Sequence, residues 1–415
     1  MSLFHALATY LRIRAFPIFV RDRAALHAWQ AKRLRRWMQR DVPKVAAFAH
    51  LTNPRLTDLP MMAKSDLMAD FARYNTAGIT NAEGWAAFEG SRRKGTLTIG
   101  ASTGTSGNRG LFVISDAERF SWLGAMLAKA LPDFWRHRDR VAVMLPINTP
   151  LYDSANRFRR LKLAFFDLGT PFELLVEQVT AFDPTVIVAP PRILHRLGLA
   201  ATELRPRKVF SAAEKLDATD QTAIEARFGP LHEIYMATEG LFGVTCRKGR
   251  LHLSEDCLHF EFLPAGDGLV MPVISDFSRR CQIMARYRMN DLMRLDPEPC
   301  PCGSPLMAVQ EIVGREDDVF LLPGMAGATI ELTPDILRNA VLDSDRNLDD
   351  FRLVQTDAAR LVLSLAKGVD PAPARAALTA LLERHGCEGV SIDYAVFGSD
   401  PPGKLRRVRR DWGPK

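Results

Sequence analysis

The segment Ser102-Thr103-Gly104-Thr105-Ser106-Gly107-Asn108-Arg109-Gly110 is made of the residue types that grip a phosphate. Glycine permits positive φ, which lets consecutive backbone N–H groups converge on an anion, and the hydroxyls of Ser102, Thr103, Thr105 and Ser106 add donors. The spacing is neither G-x-x-x-x-G-K-[ST] nor G-x-G-x-x-G, so two familiar nucleotide loops are excluded. Taken alone, the stretch also reads as a plain hairpin turn, because Leu111-Phe112-Val113-Ile114 follows it as an apolar run.

A second group of residues suits a metal. Cys300-Pro301-Cys302-Gly303 makes a tight knuckle, and Cys246 and His252 lie upstream, which offers three thiolates and one imidazole to a structural Zn²⁺. The knuckle is shorter than the usual C-x₂₋₄-C, Cys257 and His259 are nearby substitutes, and buried free thiols are the alternative.

Four further stretches follow the first loop in order: Ile234-Tyr235-Met236-Ala237-Thr238-Glu239-Gly240, Tyr287-Arg288-Met289-Asn290-Asp291-Leu292, Gly314-Arg315-Glu316-Asp317-Asp318 and Pro402-Gly403-Lys404-Leu405-Arg406-Arg407. As an ordered set spanning nearly the whole chain, they resemble the adenylate-forming superfamily of acyl-CoA synthetases, peptide-synthetase adenylation domains and luciferases. Met62-Ala63-Lys64-Ser65-Asp66-Leu67, the Cys-Pro-Cys-Gly and the short length are similar to the phenylacetate-CoA ligase-like branch, above all to indoleacetate-lysine ligases and deazaflavin-coenzyme synthetase-related proteins.

The resemblance implies ATP-dependent activation of a carboxylic acid: its oxygen attacks the α-phosphorus, Mg-pyrophosphate leaves, and positioned donors with a cation hold the charge. It assigns Ser102, Thr103, Gly104, Thr105, Ser106, Gly107 and Arg109 to the β- and γ-phosphates, although the usual Pro-Lys-Gly ending is replaced here. Glu239 would hold Mg²⁺, Thr238 would contact the α-phosphate, Tyr235 would lie along the adenine, and Asp291 would bind both ribose hydroxyls. Ala213 and Glu214, in a stretch that usually reads Gly-Gly-Glu, would flank adenine and acyl group, with Arg315 among the nucleotide contacts. Lys404 would neutralise the carboxylate and α-phosphate, and Asp317 would be the pivot on which a small domain rotates. The branch implies an aromatic or arylalkyl acid in a pocket drawing on Tyr152, Phe210, Ala212, Met236, Ala237 and Phe242. The acceptor stays open between an amine such as an amino acid, a carrier-protein thiol and coenzyme A; a homodimer is common in the branch. Members with the Cys-Pro-Cys-Gly include zinc binders.

These residues must be positioned by 415 residues with the composition of an ordinary globular protein. Short β-rich runs such as 141–145 and 185–189 alternate with helical stretches such as 117–131, which is the signature of an α/β fold with mostly parallel sheets. Residues 1–80 read as mostly helical. Beyond residue 315 the pattern becomes a small α+β unit: a helix at 334–342, strands at 351–355 and 361–365, a helix at 371–385 and a strand at 390–397. The division is therefore an N-terminal core over 1–314 and a C-terminal lid over 315–415.

The net charge of +7 is spread apart from 33–40 and 406–410, which argues against a nucleic-acid partner. No apolar run reaches the length of a transmembrane span. The apolar segment 3–20, interrupted by Arg12 and Arg14, reads as an amphipathic helix packed on the body. Six cysteines without a secretion signal suit a reducing cytoplasm. From a different class, a non-catalytic binding protein on the same fold remains the alternative.

Overall fold

The computed structural model describes residues 2–102, 109–145, 156, 158, 160–345, 348, 350–397 and 406–413. It divides into two compact units: Met1–Pro264 with Pro272–Met289 and Leu295–Gln310, and Ala265–Met271 with Asn290–Arg294 and Glu311–Lys415.

In the first unit, five short apolar runs pair as parallel strands in the order Leu161–Phe165, Asp139–Val143, Val186–Ala189, Lys208–Ala212, Leu231–Ala237. Their apolar residues are nearly continuous because helices cover both faces. On one face, helices Phe172–Phe182, Pro191–Ala200 and Ala218–Phe228 bring Leu175, Val179, Leu194, Leu197 and Ile224 onto Ala142, Ile187 and Val209. The alternate residues Val141, Val143, Val188, Phe210 and Ala212 therefore face the other way. They meet helix Asp116–Ala130, whose start is fixed by a Ser115/Glu118 capping box. The sheet turns antiparallel where Leu231–Ala237 pairs with Gly240–Thr245, then continues through Leu251–Leu253 to Ala308 and Val309.

Helix Ser2–Phe19 crosses helix Asp116–Ala130 so closely that a Cβ on Gly124 would lie 2.1 Å from the carbonyl oxygen of Ala6. Ala6, Tyr10, Ile13, Phe16 and Val20 are buried on that side. The expected polar outer face is missing: Phe4, Leu7, Leu11, Ile18 and Phe19 stand exposed opposite the buried stripe.

The glycine- and hydroxyl-rich segment connects strands Leu97–Ala101 and Leu111–Ser115, which pair antiparallel with Ala101 opposite Leu111. It is therefore a hairpin connection, as the flanking runs indicate.

In the second unit, strands Phe351–Asp357 and Arg360–Leu365 form a hairpin, Ser391–Val396 adds parallel to the latter and Val408–Arg410 parallel to the former. Helices Pro334–Leu342 and Ala372–Arg384 cover it, and Leu337, Val341, Phe351, Leu353, Leu361, Leu363 and Leu378 form its core. A second hairpin joins Phe320–Pro323 to Thr329–Leu332. The last strand, Val408–Arg410, is not expected from residue pattern, since 406–410 carries only the composition of a basic run. Its charges are taken up locally: Arg406 pairs with Asp318 at 2.7 Å, Arg407 with Asp350 at 3.2 Å and Arg409 with Asp411 at 2.7 Å.

Candidate active site and metal centre

The hairpin loop is pinched at its base. Ser102 N–H donates to the Gly110 carbonyl at 2.8 Å, and Gly110 N–H donates to Ser102 Oγ at 2.7 Å. Thr103, Gly104, Thr105, Ser106 and Gly107 lie outside the described residues. Arg109, the expected basic residue of the loop, donates from Nε to the Ser102 carbonyl at 3.4 Å, and its guanidinium lies 5.0 Å from the Trp85 ring centre and 5.4 Å from that of Phe88. Lys64 reaches the same base from another element, with Nζ donating to Ser102 Oγ at 3.1 Å. The Lys64 chain also packs against Gly110, where a Cβ would come within 2.6 Å of Cε. In the sequence Lys64 belongs only to a branch motif; nothing local to it points to a loop 38 residues away.

Thr238 and Glu239 form the two-residue turn of the hairpin in which Ala237 pairs with Gly240. The buried Tyr287 donates its hydroxyl to Glu239 Oε1 at 3.1 Å, which orients the carboxylate. Tyr235 is buried against Phe242, ring centres 5.2 Å apart. One strand over, Ala213 has φ 72°, a left-handed conformation that costs an alanine about 1 kcal/mol and a glycine almost nothing. Ala213 thus holds under strain a backbone shape that glycine adopts freely. Glu214 is nearly buried, with Oε1 3.3 Å from the Arg192 guanidinium at the start of its helix.

Between helix Asp116–Ala130 and the sheet lies a cavity of about 70 Å³. Seventeen residues line it, every one apolar; they include Trp122, Met126, Val188, Phe210, Ala212 and Met236. Of the residues named for an acyl pocket, Phe210, Ala212 and Met236 line this cavity, while Ala237 and Phe242 are outside the lining and Tyr152 lies outside the described residues. The helix side of the cavity escapes sequence reasoning, because Trp122, Leu123 and Met126 read as an ordinary core stripe.

In the second unit, Arg315 Nε lies 3.8 Å from Asp291 Oδ1. Asn290 Nδ2 donates to Asp317 Oδ2 at 2.8 Å, and Glu316 N–H to the Asn290 carbonyl at 2.8 Å, so the expected hinge segment is tied to the strand that starts at Asp291. Burial pushes the Asp318 carboxyl above its ordinary pKa, with Arg406 and Arg315 opposing. Lys404 lies outside the described residues.

The sequence-predicted metal ligands do converge: one ligand atom each from Cys246, His252, Cys300 and Cys302 lie within 4.8 Å of one another. Cys246 Sγ is 3.7 Å from Cys300 Sγ, and Cys302 Sγ is 3.5 Å from His252 Nε2. Those separations match the roughly 3.5–3.8 Å edges of a tetrahedron with Zn–S near 2.3 Å and Zn–N near 2.0 Å. His252 Nδ1 is 2.8 Å from the Leu306 carbonyl, which fixes the tautomer that leaves Nε2 free to ligate. Lys248 N–H points at Cys246 Sγ at 3.3 Å and Ser304 N–H at Cys302 Sγ at 3.4 Å, donors that stabilise thiolates. Gly303 closes the knuckle with φ 80°, a position that suits glycine. The donor set therefore fits a zinc ion. Cys257 and His259 are occupied elsewhere: Cys257 is buried beside Arg12 with its pKa pushed up to about 11, and His259 meets Gln30.

An α/β core with a small α+β second unit is an architecture that solved structures of acyl-adenylate-forming ligases share. A 2-hydroxyisobutyryl-CoA ligase in the postadenylation state, in complex with an acyl-AMP, is similar to this chain at 17% identity over 93% of this chain and 88% of that one, TM-score 0.68. The same ligase with acyl-AMP and CoA in the thioesterification state gives 19% identity over 97% and 89%, TM-score 0.53. The amide bond synthetase McbA from Marinactinospora thermotolerans gives 15% over 72% and 66%, TM-score 0.50. At these identities the likeness establishes the fold. No protein-family signature matches the sequence, and no curated protein matches it.

Proposed function

We propose that this chain is an ATP-dependent ligase of the phenylacetate-CoA ligase-like branch. It activates an apolar carboxylic acid as the acyl-adenylate with release of pyrophosphate, then passes the acyl group to an amine or thiol. One observation carries the reading. The strands that supply Phe210, Ala212, Ile234 and Met236 to the apolar cavity run directly into Ala213-Glu214 and Ala237-Thr238-Glu239. An acid whose hydrocarbon part fills the cavity presents its carboxylate at those strand ends, where the carboxylate oxygen attacks the α-phosphorus in line with the leaving pyrophosphate.

Around that centre, the loop 102–110 and Lys64 bind the β- and γ-phosphates, Thr238 donates to the α-phosphate, Tyr235 flanks the adenine, and Asp291 with Arg315 takes the ribose. Glu239, oriented by Tyr287, is the ligand for Mg²⁺, which supplies charge neutralisation to the leaving group. Lys404 provides the mobile cation, and residues 315–415 turn about Asp317 to bring it in and withdraw it. Cys246, His252, Cys300 and Cys302 hold Zn²⁺, which ties the 246–250 turn to the 300–303 knuckle and takes no part in the reaction.

The cavity wall supports an apolar acid, since a polar substituent buried there without a partner costs about 1–3 kcal/mol; the resemblance to the branch narrows this to an aromatic or arylalkyl one. An amine acceptor yields an amide, a thiol a thioester; the likeness to a CoA ligase over most of both chains supports coenzyme A as the alternative acceptor. The test is acid-dependent ATP–pyrophosphate exchange across arylalkyl, aryl and aliphatic acids, with Lys404→Ala as control. Exchange with one class, reduced about 10²- to 10³-fold by the substitution, is expected. Folded, ATP-binding protein that exchanges with none of them overturns the reading.

A further inference from the structure

Helix Ser2–Phe19 packs one side on helix Asp116–Ala130, burying Ala6, Tyr10, Ile13 and Phe16. The opposite side is apolar too. Six of the thirteen exposed large apolar side chains among the described residues lie on this one helix, led by Phe19 at 78%, Phe4 at 71% and Ile18 at 61%. Phe4, Leu7, Leu11 and Ile18 fall on a single line, at i, i+3, i+7 and i+14, with the exposed Arg14 at i+10 at its edge. A contiguous exposed stripe of this kind calls for a cover.

Within the helix and up to residue 21 the charges are of one sign: no acidic residue occurs from position 2 to 21, whereas Arg14 and Arg21 are exposed. The first carboxylate after the stripe, Asp22, is exposed and caps the next helix by accepting from Ala25 N–H at 2.8 Å. Tyr10, midway along the helix, anchors the segment that follows helix Asp116–Ala130: its hydroxyl donates to the Pro132 carbonyl at 2.6 Å and its ring meets Phe134 at 5.2 Å. That segment carries Trp135, 53% exposed, with the Arg136 guanidinium 4.7 Å from its ring centre. Its one carboxylate, Asp133, is engaged by Arg207 at 3.3 Å. An exposed tryptophan with adjoining arginines is the composition of a side chain that settles at a lipid headgroup layer.

We propose that the outer face of helix Ser2–Phe19, with Trp135 and Arg136, docks in the plane of an anionic lipid bilayer. The apolar stripe enters the headgroup–acyl boundary, and Arg14, Arg21 and Arg136 remain at the phosphate level. The helix lies on the membrane and does not cross it; no described helix is long and apolar enough to span one. A second copy of the chain fits less well, because two such faces would oppose arginine rims on a chain of net charge +7.

Sedimentation of the full chain with phosphatidylcholine vesicles, with and without phosphatidylglycerol, tests this. Binding to the anionic vesicles, roughly tenfold weaker without phosphatidylglycerol or at high salt, is expected. Phe4→Asp combined with Ile18→Asp should lower that binding at least about tenfold, and Arg14→Glu should weaken it selectively on anionic vesicles. Both changes sit on solvent-exposed positions, so thermal unfolding remains at the wild-type temperature. Absence of pelleting, or pelleting indifferent to these substitutions, overturns the proposal. So does a concentration-dependent dimer abolished by Phe4→Asp with Ile18→Asp, which would give the face to a second copy.

Discussion

The apolar cavity offers a quantitative check on where the acid sits. The hole of about 70 Å³ is lined only by apolar side chains, and at roughly 24 cal/mol per Å³ of closed void it costs at most about 1.7 kcal/mol. Ala212 is 3% exposed and lines the hole. Ala212→Leu adds three carbons to that wall, whose burial is worth about 0.8 kcal/mol each before any crowding. Filling the hole should therefore raise stability by up to about 1.7 kcal/mol, a rise in Tm of up to about 2–3 °C for a unit of this size at roughly 2.1 cal/mol/K of unfolding entropy per residue. If the cavity receives the hydrocarbon part of the acid, the same change should lower kcat/KM for the acid in ATP–pyrophosphate exchange by about 10²-fold while leaving KM for ATP within twofold. Differential scanning fluorimetry and the exchange assay read the two effects on one preparation. A stabilised variant with unchanged acid kinetics would refute the placement. A destabilised variant would show that the wall cannot accept the volume and that the hole is not open at Ala212.

Two further outcomes follow from the geometry. Purified protein should contain about one zinc per chain by elemental analysis, and removing it with a chelator or by Cys300→Ser should lower Tm, because the four ligand side chains would then crowd together without the ion that holds them; metal-free protein of unaltered stability would contradict the site. Lys64→Ala should raise KM for ATP, or lower kcat/KM, by about tenfold or more, the scale of one charge-assisted hydrogen bond, whereas Arg109→Ala should have a smaller effect. Equal losses from the two substitutions would contradict the assignment of the cation to Lys64.

Several features are legible in the order of residues. The alternation of short β-rich runs with helices points to an α/β core, because strands covered on both faces must be apolar throughout while their connecting helices are striped. The helix at 334–342, the hairpin near 351–365 and the helix at 371–385 are equally plain, since each carries its period and its boundaries locally. The four metal ligands can be named because Cys and His are scarce and chemically distinct, although their convergence within 4.8 Å requires the antiparallel pairing of Leu251–Leu253 with Ala308 and Val309.

The order of residues thus dictates which chemistry is available and which segments form elements, whereas the place where each long side chain ends is a property of the folded chain. Arg109 stands in the loop yet stacks on Trp85 and Phe88, while Lys64 reaches Ser102 from another element. Trp122 and Met126 form a helix stripe indistinguishable from core until the sheet beneath leaves a hole. Helix Ser2–Phe19 reads as amphipathic until its crossing at Gly124 fixes which apolar side is buried and which is left facing out. One cause is common to all three. Backbone conformation follows from preferences within a few residues, but the destination of a flexible cation or an apolar face is set by contacts between elements far apart in the chain.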